Sequence, residues 1–257
     1  MLTHATGLVL ALGALNAAAA SNLAVTVSID VYVNPHAIDP RIHGVSFGTP
    51  ADLKALNAPL NRSGGNTTTT YNWRQNASNH DFDYFFESLP DDNNRSTRQL
   101  WDSHYFSESY SGAPVNLIPV LKGWVSKYYY AGTPVAVTEY NWGDEGKVNG
   151  ATIQVDIYGI FGREGLDRAT GWTVPAANTP TFKAMQIYRN YDGMVSGFGD
   201  VSVKAAVPNP DRLSAFAAQR TIGGALTVMV VSKIPGATPV TLVWAISPPP
   251  ARPRPIS

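Results

Sequence analysis

The sequence predicts an α/β protein that carries a second, smaller, all-β part. Three observations predict it. Between residues 42 and 200, short apolar strands alternate with amphipathic helices, the rhythm of an α/β barrel or of a doubly wound sheet. After residue 201 the helices stop, and strands separated by Gly, Pro and Asp turns succeed one another, as in antiparallel β structure. Near the N-terminus, Val25, Val27, Ile29, Val31 and Val33 alternate with Thr26, Ser28, Asp30 and Tyr32, a half-buried strand of the antiparallel type. The two ends of the chain are therefore expected to build one small sandwich, with the α/β part inserted between them.

Bulk composition limits the partners. Nineteen Lys and Arg balance nineteen Asp and Glu, which leaves no basic surface for nucleic acid or an anionic membrane. Such a balance suits an uncharged partner such as a polysaccharide. A length of 257 residues allows one or two domains with a real core. The chain has no cysteine, which excludes disulfides and thiolate metal sites. No cofactor and no metal are called for, and a monomer is expected. Residues 7–15 are apolar, Ala17 to Ala20 are small and Ser21 follows, so residues 1–20 read as a signal peptide, although no Lys or Arg precedes the apolar run. The run is too short to span a bilayer. Sequons at Asn61, Asn66, Asn76 and Asn94 suit a secreted, extracellular glycoprotein.

In order, residues 42–47 read as a strand and 51–57 as a helix. Asn61-Arg-Ser-Gly-Gly-Asn-Thr-Thr-Thr-Thr-Tyr-Asn-Trp73 is a polar and aromatic loop, and its Gly64-Gly65 pair lets backbone approach a ligand closely. Residues 76–94 are rich in Asp and Asn and are interrupted by Phe82, Tyr84, Phe85 and Phe86. A helix over 115–130 places Leu117, Leu121, Trp124, Val125 and Tyr128 at helical spacing, and Gly132 stops it. Residues 133–142 form a short strand, with Val135, Val137 and Glu139 on one face and Ala136, Thr138 and Tyr140 on the other. Its apolar face thus ends in a carboxylate. The C-terminal end of a barrel strand is where barrel enzymes keep catalytic groups, although a salt bridge or a loop cap would use Glu139 equally well. Helices over 151–164 and 181–191 flank an extended stretch over 166–173 that holds Trp172. Strands follow at 213–219, 225–232 and 240–246. The expected domains are a first sandwich strand at 21–41, a barrel-type domain at 42–200, the rest of the sandwich at 201–247 and a Pro-rich tail at 248–257.

A set of motifs carries a family resemblance. Asn61-Arg-Ser-Gly-Gly-Asn66, Tyr71-Asn-Trp73, Leu100-Trp-Asp102, Lys122-Gly-Trp-Val125, Thr138-Glu-Tyr-Asn-Trp142, Gly159-Ile-Phe-Gly-Arg-Glu-Gly165, Tyr188-Arg-Asn-Tyr-Asp-Gly193 and Leu213-Ser-Ala-Phe-Ala-Ala-Gln-Arg220 resemble glycoside hydrolase family 44, in order and across most of the chain. The resemblance implies secreted retaining endo-β-1,4-glucanases, some active on xyloglucan. It implies a TIM-like (β/α) barrel with a small antiparallel β-sandwich built from both chain ends. It makes Glu139 the nucleophile and Trp101 and Trp172 aromatic platforms for a β-glucan, with Arg62 and Trp73 in a stretch that reaches the cleft.

The departures weigh as much. The family's acid/base is a glutamate in an Asn-Glu-Pro segment. Of the five glutamates here (Glu87, Glu108, Glu139, Glu145 and Glu164) none follows Asn and precedes Pro. Phe86-Glu-Ser-Leu-Pro90 resembles the family before that segment and Arg95-Ser-Thr-Arg-Gln-Leu-Trp101 after it, with only Asp91 to Asn94 between. Ser63 stands where the family has a large aromatic, and the C-terminal strands end early. The expectation is an incomplete barrel with an internal deletion and no assigned acid/base, because nothing in the sequence positions Glu108 or Asp91 for the role. Loss of the acid slows departure of an unactivated sugar by about 100 to 10,000-fold. The alternative expectation is a non-catalytic glycan-binding protein or truncated pseudoenzyme.

Overall fold

The computed structural model describes residues 9–12, 21–62, 71–72, 77–78, 93–106 and 113–244. The chain begins with β1 (Val9–Leu12), β2 (Val25–Asp30), β3 (His36–Ala37), a 3₁₀ turn at Pro40–His43, β4 (Gly44–Ser46), α1 (Pro50–Leu56) and β5 (Asn61–Arg62). A short pair, β6 (Tyr71–Asn72) and β7 (Ala77–Ser78), and helix α2 (Asn93–Ser96) follow. Next come α3 (Leu117–Tyr128), β8 (Ala136–Tyr140), α4 (Val148–Arg163), β9 (Arg168–Gly171) and α5 (Pro180–Arg189). Last are β10 (Val201–Ala206), β11 (Leu213–Gln219), β12 (Leu226–Ser232) and β13 (Val240–Trp244). Two compact units result: Met1–Ile38 with Gly199–Ser257, and Asp39–Phe198.

The first unit is one sheet in the order β1-β12-β11-β10-β2-β13, with β3 also on β10. In β2 the period-two pattern has its expected result: Val27 and Ile29 are buried while Thr26 and Ser28 face solvent. Strand β10, which the turn-rich sequence conceals, organises the sheet. Its residues Val201 to Val203 pair with β11, whereas Lys204 to Ala206 pair with β2. The sheet therefore folds over at β10, and Val27, Ile29, Val203, Leu213, Ala215, Ala217 and Val228 meet in one apolar cluster. Burying each large aliphatic side chain there contributes about 1.5–3 kcal/mol. Pairing is not uniformly antiparallel, contrary to expectation. β13 lies parallel to β2, with Val240 opposite Val25 and Trp244 opposite Ile29. No tight turn joins these two strands, so no hairpin dictates their relative direction.

The second unit is a mixed α/β half-barrel. Four parallel strands in the order β5-β4-β9-β8 curl, with α4 following β8 and α5 following β9. Helix α1 starts with a capping box between Thr49 and Asp52 and has Pro50 in its first turn. Thr179 caps α5, its hydroxyl accepting from Phe182 N. The sequence suggests a single apolar stripe on α4. The helix is instead buried on every side from Gly150 to Gly162, as expected of a helix apolar nearly all round. Phe161 packs edge-on against Tyr140, and Thr97 Oγ1 donates to the Asp156 carboxylate at 2.6 Å. Gly150 is required where α4 begins, because a Cβ there would overlap the backbone of Asp144. Helix α3 also departs from expectation. Ile118 is its only fully buried residue, and Trp124 and Tyr128 of the supposed stripe are 59% and 71% exposed. Helical spacing defines a stripe but not what covers it. Here the anchoring side chain is Lys122, whose Nζ donates to the carbonyls of Glu164 and Gly165. Among the described residues no helix is long and apolar enough to cross a membrane.

Candidate active site

Strand β8 carries the site. Val135 is buried and Val137 half-buried, as period two predicts. The pairing with β9 then slips between Val137 and Tyr140. This bulge re-aims the side chains beyond it. Tyr140, expected on the face of Ala136 and Thr138, turns into the core. Its ring lies 5.2 Å from that of Phe161, and its hydroxyl accepts from Gln154 Nε2 at 3.0 Å. Burial pushes its phenol up to about 12, so it stays neutral. Ala136, Thr138 and Glu139 are left exposed.

Glu139 is taken up from the far edge of the sheet. Arg62 Nη1, at the end of β5, donates to Glu139 Oε1 at 2.5 Å, with side chains 24% and 43% exposed. Strands β5 and β8 are the two edges, with β4 and β9 between them. Three flat inter-strand steps would separate those edges by roughly 14 Å. The curl of the sheet brings the two side chains together across its C-terminal mouth. Trp172 follows β9, and the Arg62 guanidinium carbon lies 5.7 Å from its ring centroid. Two hydrogen bonds tie this tryptophan to β8: Trp172 N donates to Tyr140 O at 2.9 Å, and Asn141 Nδ2 donates to Trp172 O at 2.5 Å. Asn141 also donates to Glu145 Oε1 at 2.9 Å while its Oδ1 accepts from Gly143 N. Phe47, the residue after β4, stands edge-on to Trp172 with centroids 5.0 Å apart. Behind them a cleft is lined by Tyr140, Asn141, Trp142, Glu145, Trp172 and Thr181.

The arrangement is a carboxylate oriented by one guanidinium, beside an aromatic face, at the C-terminal ends of parallel strands. An Arg fork gives a carboxylate a fixed geometry that Lys does not. The flat face of an indole suits a sugar ring. Of the residues singled out from the sequence, Glu139, Arg62 and Trp172 come together. Trp101 does not. It stacks under the Arg163 guanidinium at 4.4 Å, and Arg163 is the last residue of α4. That helix runs for 16 residues, roughly 24 Å, back from the mouth toward the start of β9. Trp101 therefore sits at the N-terminal ends of the strands, where side chains serve stability. The structure therefore does not bring it to the mouth with Glu139, Arg62 and Trp172. Trp73, Glu87, Asp91 and Glu108 lie outside the described residues. Among the described residues no group of three or more His, Cys, Asp or Glu is placed to hold a metal ion. Sequence reasoning missed Phe47 and Asn141. The available signal for Phe47 was an aromatic residue followed by Gly48 at the end of an apolar strand.

No protein-family model matches the chain. It is 36% identical to endoglucanase A of Paenibacillus lautus over 124 residues, which are 47% of this chain and 18% of that relative. The chain thus spans less than a fifth of that curated relative. The solved structure of a bifunctional glucanase-xylanase from a metagenome library superposes with a TM-score of 0.79 at 25% identity, covering 87% of this chain and 90% of that one. A glycoside hydrolase family 44 endoglucanase from Clostridium thermocellum superposes with a TM-score of 0.54 at 32% identity, over 61% of this chain and 31% of that one.

Proposed function

We propose that this chain is a retaining glycoside hydrolase that cleaves internal β-1,4-glucosidic bonds of cellulose-like glucans, with Glu139 as nucleophile. The observation that carries the reading is the Glu139 carboxylate held by Arg62 beside Trp172 at the mouth of the half-barrel. Similarity to endoglucanases and to a glucanase-xylanase supports it. In the first step Glu139 attacks the anomeric carbon and the leaving glycosyl oxygen departs, forming a glycosyl-enzyme. Water then attacks that carbon and gives up a proton to the solvent as the bond to Glu139 breaks, releasing the sugar and regenerating the carboxylate. Arg62 orients the attacking oxygens, and Trp172 stacks on the ring bound there.

A second carboxyl group about 5 Å away would protonate the leaving oxygen. No glutamate of the chain lies in an Asn-Glu-Pro segment that would supply it. We therefore read the enzyme as impaired toward unactivated bonds, on an incomplete (β/α) barrel that lacks the acid/base segment. An aryl β-cellobioside with a dinitrophenyl leaving group needs no acid, and this chain should cleave it at least about 100-fold faster than the phenyl analogue. Glu139→Gln should abolish both reactions. Turnover that survives Glu139→Gln would overturn the assignment. The same missing acid favours a second reading, a non-catalytic secreted glycan-binding protein, which predicts oligosaccharide binding with no release from either substrate. Export rests on residues 1–20 as a signal peptide, whose removal takes strand β1 from the edge of the sheet beside β12. N-terminal sequencing of protein recovered from a culture medium should then begin at Ser21.

A further inference from the structure

Phe47 has a backbone conformation that its side chain does not favour. Its φ is +58°, in the left-handed region, where a bulky residue is a genuine outlier. Neighbouring bonds hold it there. Phe47 N donates to Arg62 O at 2.9 Å, Gly48 N to Asn61 Oδ1 at 3.0 Å, and Val174 N to the carbonyl of Ser46 at 3.1 Å. The conformation contributes no core packing, because Phe47 is 43% exposed. What it does achieve is placement. The ring is set at 77° to Trp172, with centroids 5.0 Å apart, on the same side of the mouth as Arg62 and Glu139. Strained residues persist where the surrounding structure over-determines them, typically at ligand sites. Glycine would adopt this conformation without steric strain, yet a large aromatic occupies it.

We propose that Phe47 is a substrate-binding residue. Together with Trp172 it forms a right-angled aromatic corner that receives one sugar ring of a β-linked gluco-oligosaccharide, Trp172 contacting its face and Phe47 its edge. The proposal rests on the glycan-hydrolase reading of the mouth. It requires no bond to form or break, only apolar C–H surface of the sugar against two rings.

Cellohexaose is the probe, titrated against intrinsic tryptophan fluorescence, with urea unfolding measured on the same samples. Phe47→Ala and Phe47→Gly should both weaken binding about tenfold, comparable to Trp172→Ala, and Phe47→Tyr should restore it. Between the two truncations only the backbone preference differs, so Phe47→Gly should unfold at a higher urea concentration than Phe47→Ala while binding no better. If both truncations bind as wild type while Trp172→Ala is weakened, the corner is overturned and the reading of the mouth stands. If wild type binds no cellohexaose, both fall. If Phe47→Tyr fails to restore binding while unfolding as wild type does, the ring-edge contact is overturned.

Discussion

Among the described residues the half-barrel holds two Trp–Arg pairs, and they illustrate opposite uses of the same chemistry. At the mouth, Arg62 lies 5.7 Å from the Trp172 centroid and pairs with Glu139. At the other end, Arg163 lies 4.4 Å from the Trp101 centroid and pairs with its neighbour Glu164 at 2.8 Å. Residue types, contacts and charge are the same. The difference is position along the strands. The mouth pair joins the edge strand β5 to the residue after the inner strand β9 and leaves Glu139 accessible. The other pair closes the end of α4, near a packed core in which His43 lies between Tyr158 and Tyr188, at 4.7 and 5.6 Å. A Trp–Arg–carboxylate triplet is thus not by itself a site. It becomes one where the strands end and backbone no longer needs covering.

The comparison predicts that variants at one end will cost stability and at the other only function. The largest effect is expected at the packed end. Tyr158→Ala removes a side chain that is 2% exposed, and should lower unfolding free energy by about 3–5 kcal/mol, read by urea denaturation, with binding per folded molecule unchanged. Next, Arg62→Met keeps the stem but removes the fork, and should lower turnover of an activated aryl cellobioside by about 100-fold while shifting the urea midpoint little. A stability loss in place of an activity loss would erase the distinction between the ends.

A third test uses pH. Burial, aided by the nearby Arg189, holds the His43 imidazole down at about 3 from its ordinary 6.5. Tyr158 and Tyr188 beside it are pushed up by burial and stay neutral. In the unfolded chain His43 takes a proton below 6.5, and in the folded chain only near 3. The unfolded state binds more protons throughout that window, so stability falls as pH falls from 6.5 toward 3, by at most about 1.4 kcal/mol per pH unit. His43→Leu should flatten that slope, measured by urea unfolding at several pH values. The smallest effect sharpens the comparison most: Trp101→Ala should leave cellohexaose affinity unchanged, where Trp172→Ala weakens it about tenfold.

Much of the local structure was legible. Alternation in β2 and the short strand ending near Glu139 follow from neighbouring residues, because period-two faces are local properties. The resemblance to glucanases also singled out Glu139, Arg62 and Trp172 together. What the residues alone did not reveal was long-range. Trp101 and Trp172 read alike in sequence, and only the direction of α4 sends one of them to the far end. Trp124 and Tyr128 lie on a helical stripe, yet nothing in their spacing says that this stripe faces solvent.

The sequence by itself determined the alternating strands and helices of the α/β part, most strands of the all-β part, and the carboxylate near the end of β8. Those depend on side-chain periodicity, glycine and proline within a few residues of each other. Tertiary structure alone decided that Arg62 reaches Glu139, 77 residues away, that a bulge turns Tyr140 inward, and that Phe47 is held in a left-handed conformation against Trp172. The first depends on how far four parallel strands curl, the second on the β8–β9 register and the third on hydrogen bonds to Arg62 and Asn61. That curl is a property of the whole sheet, and no short stretch of residues encodes it.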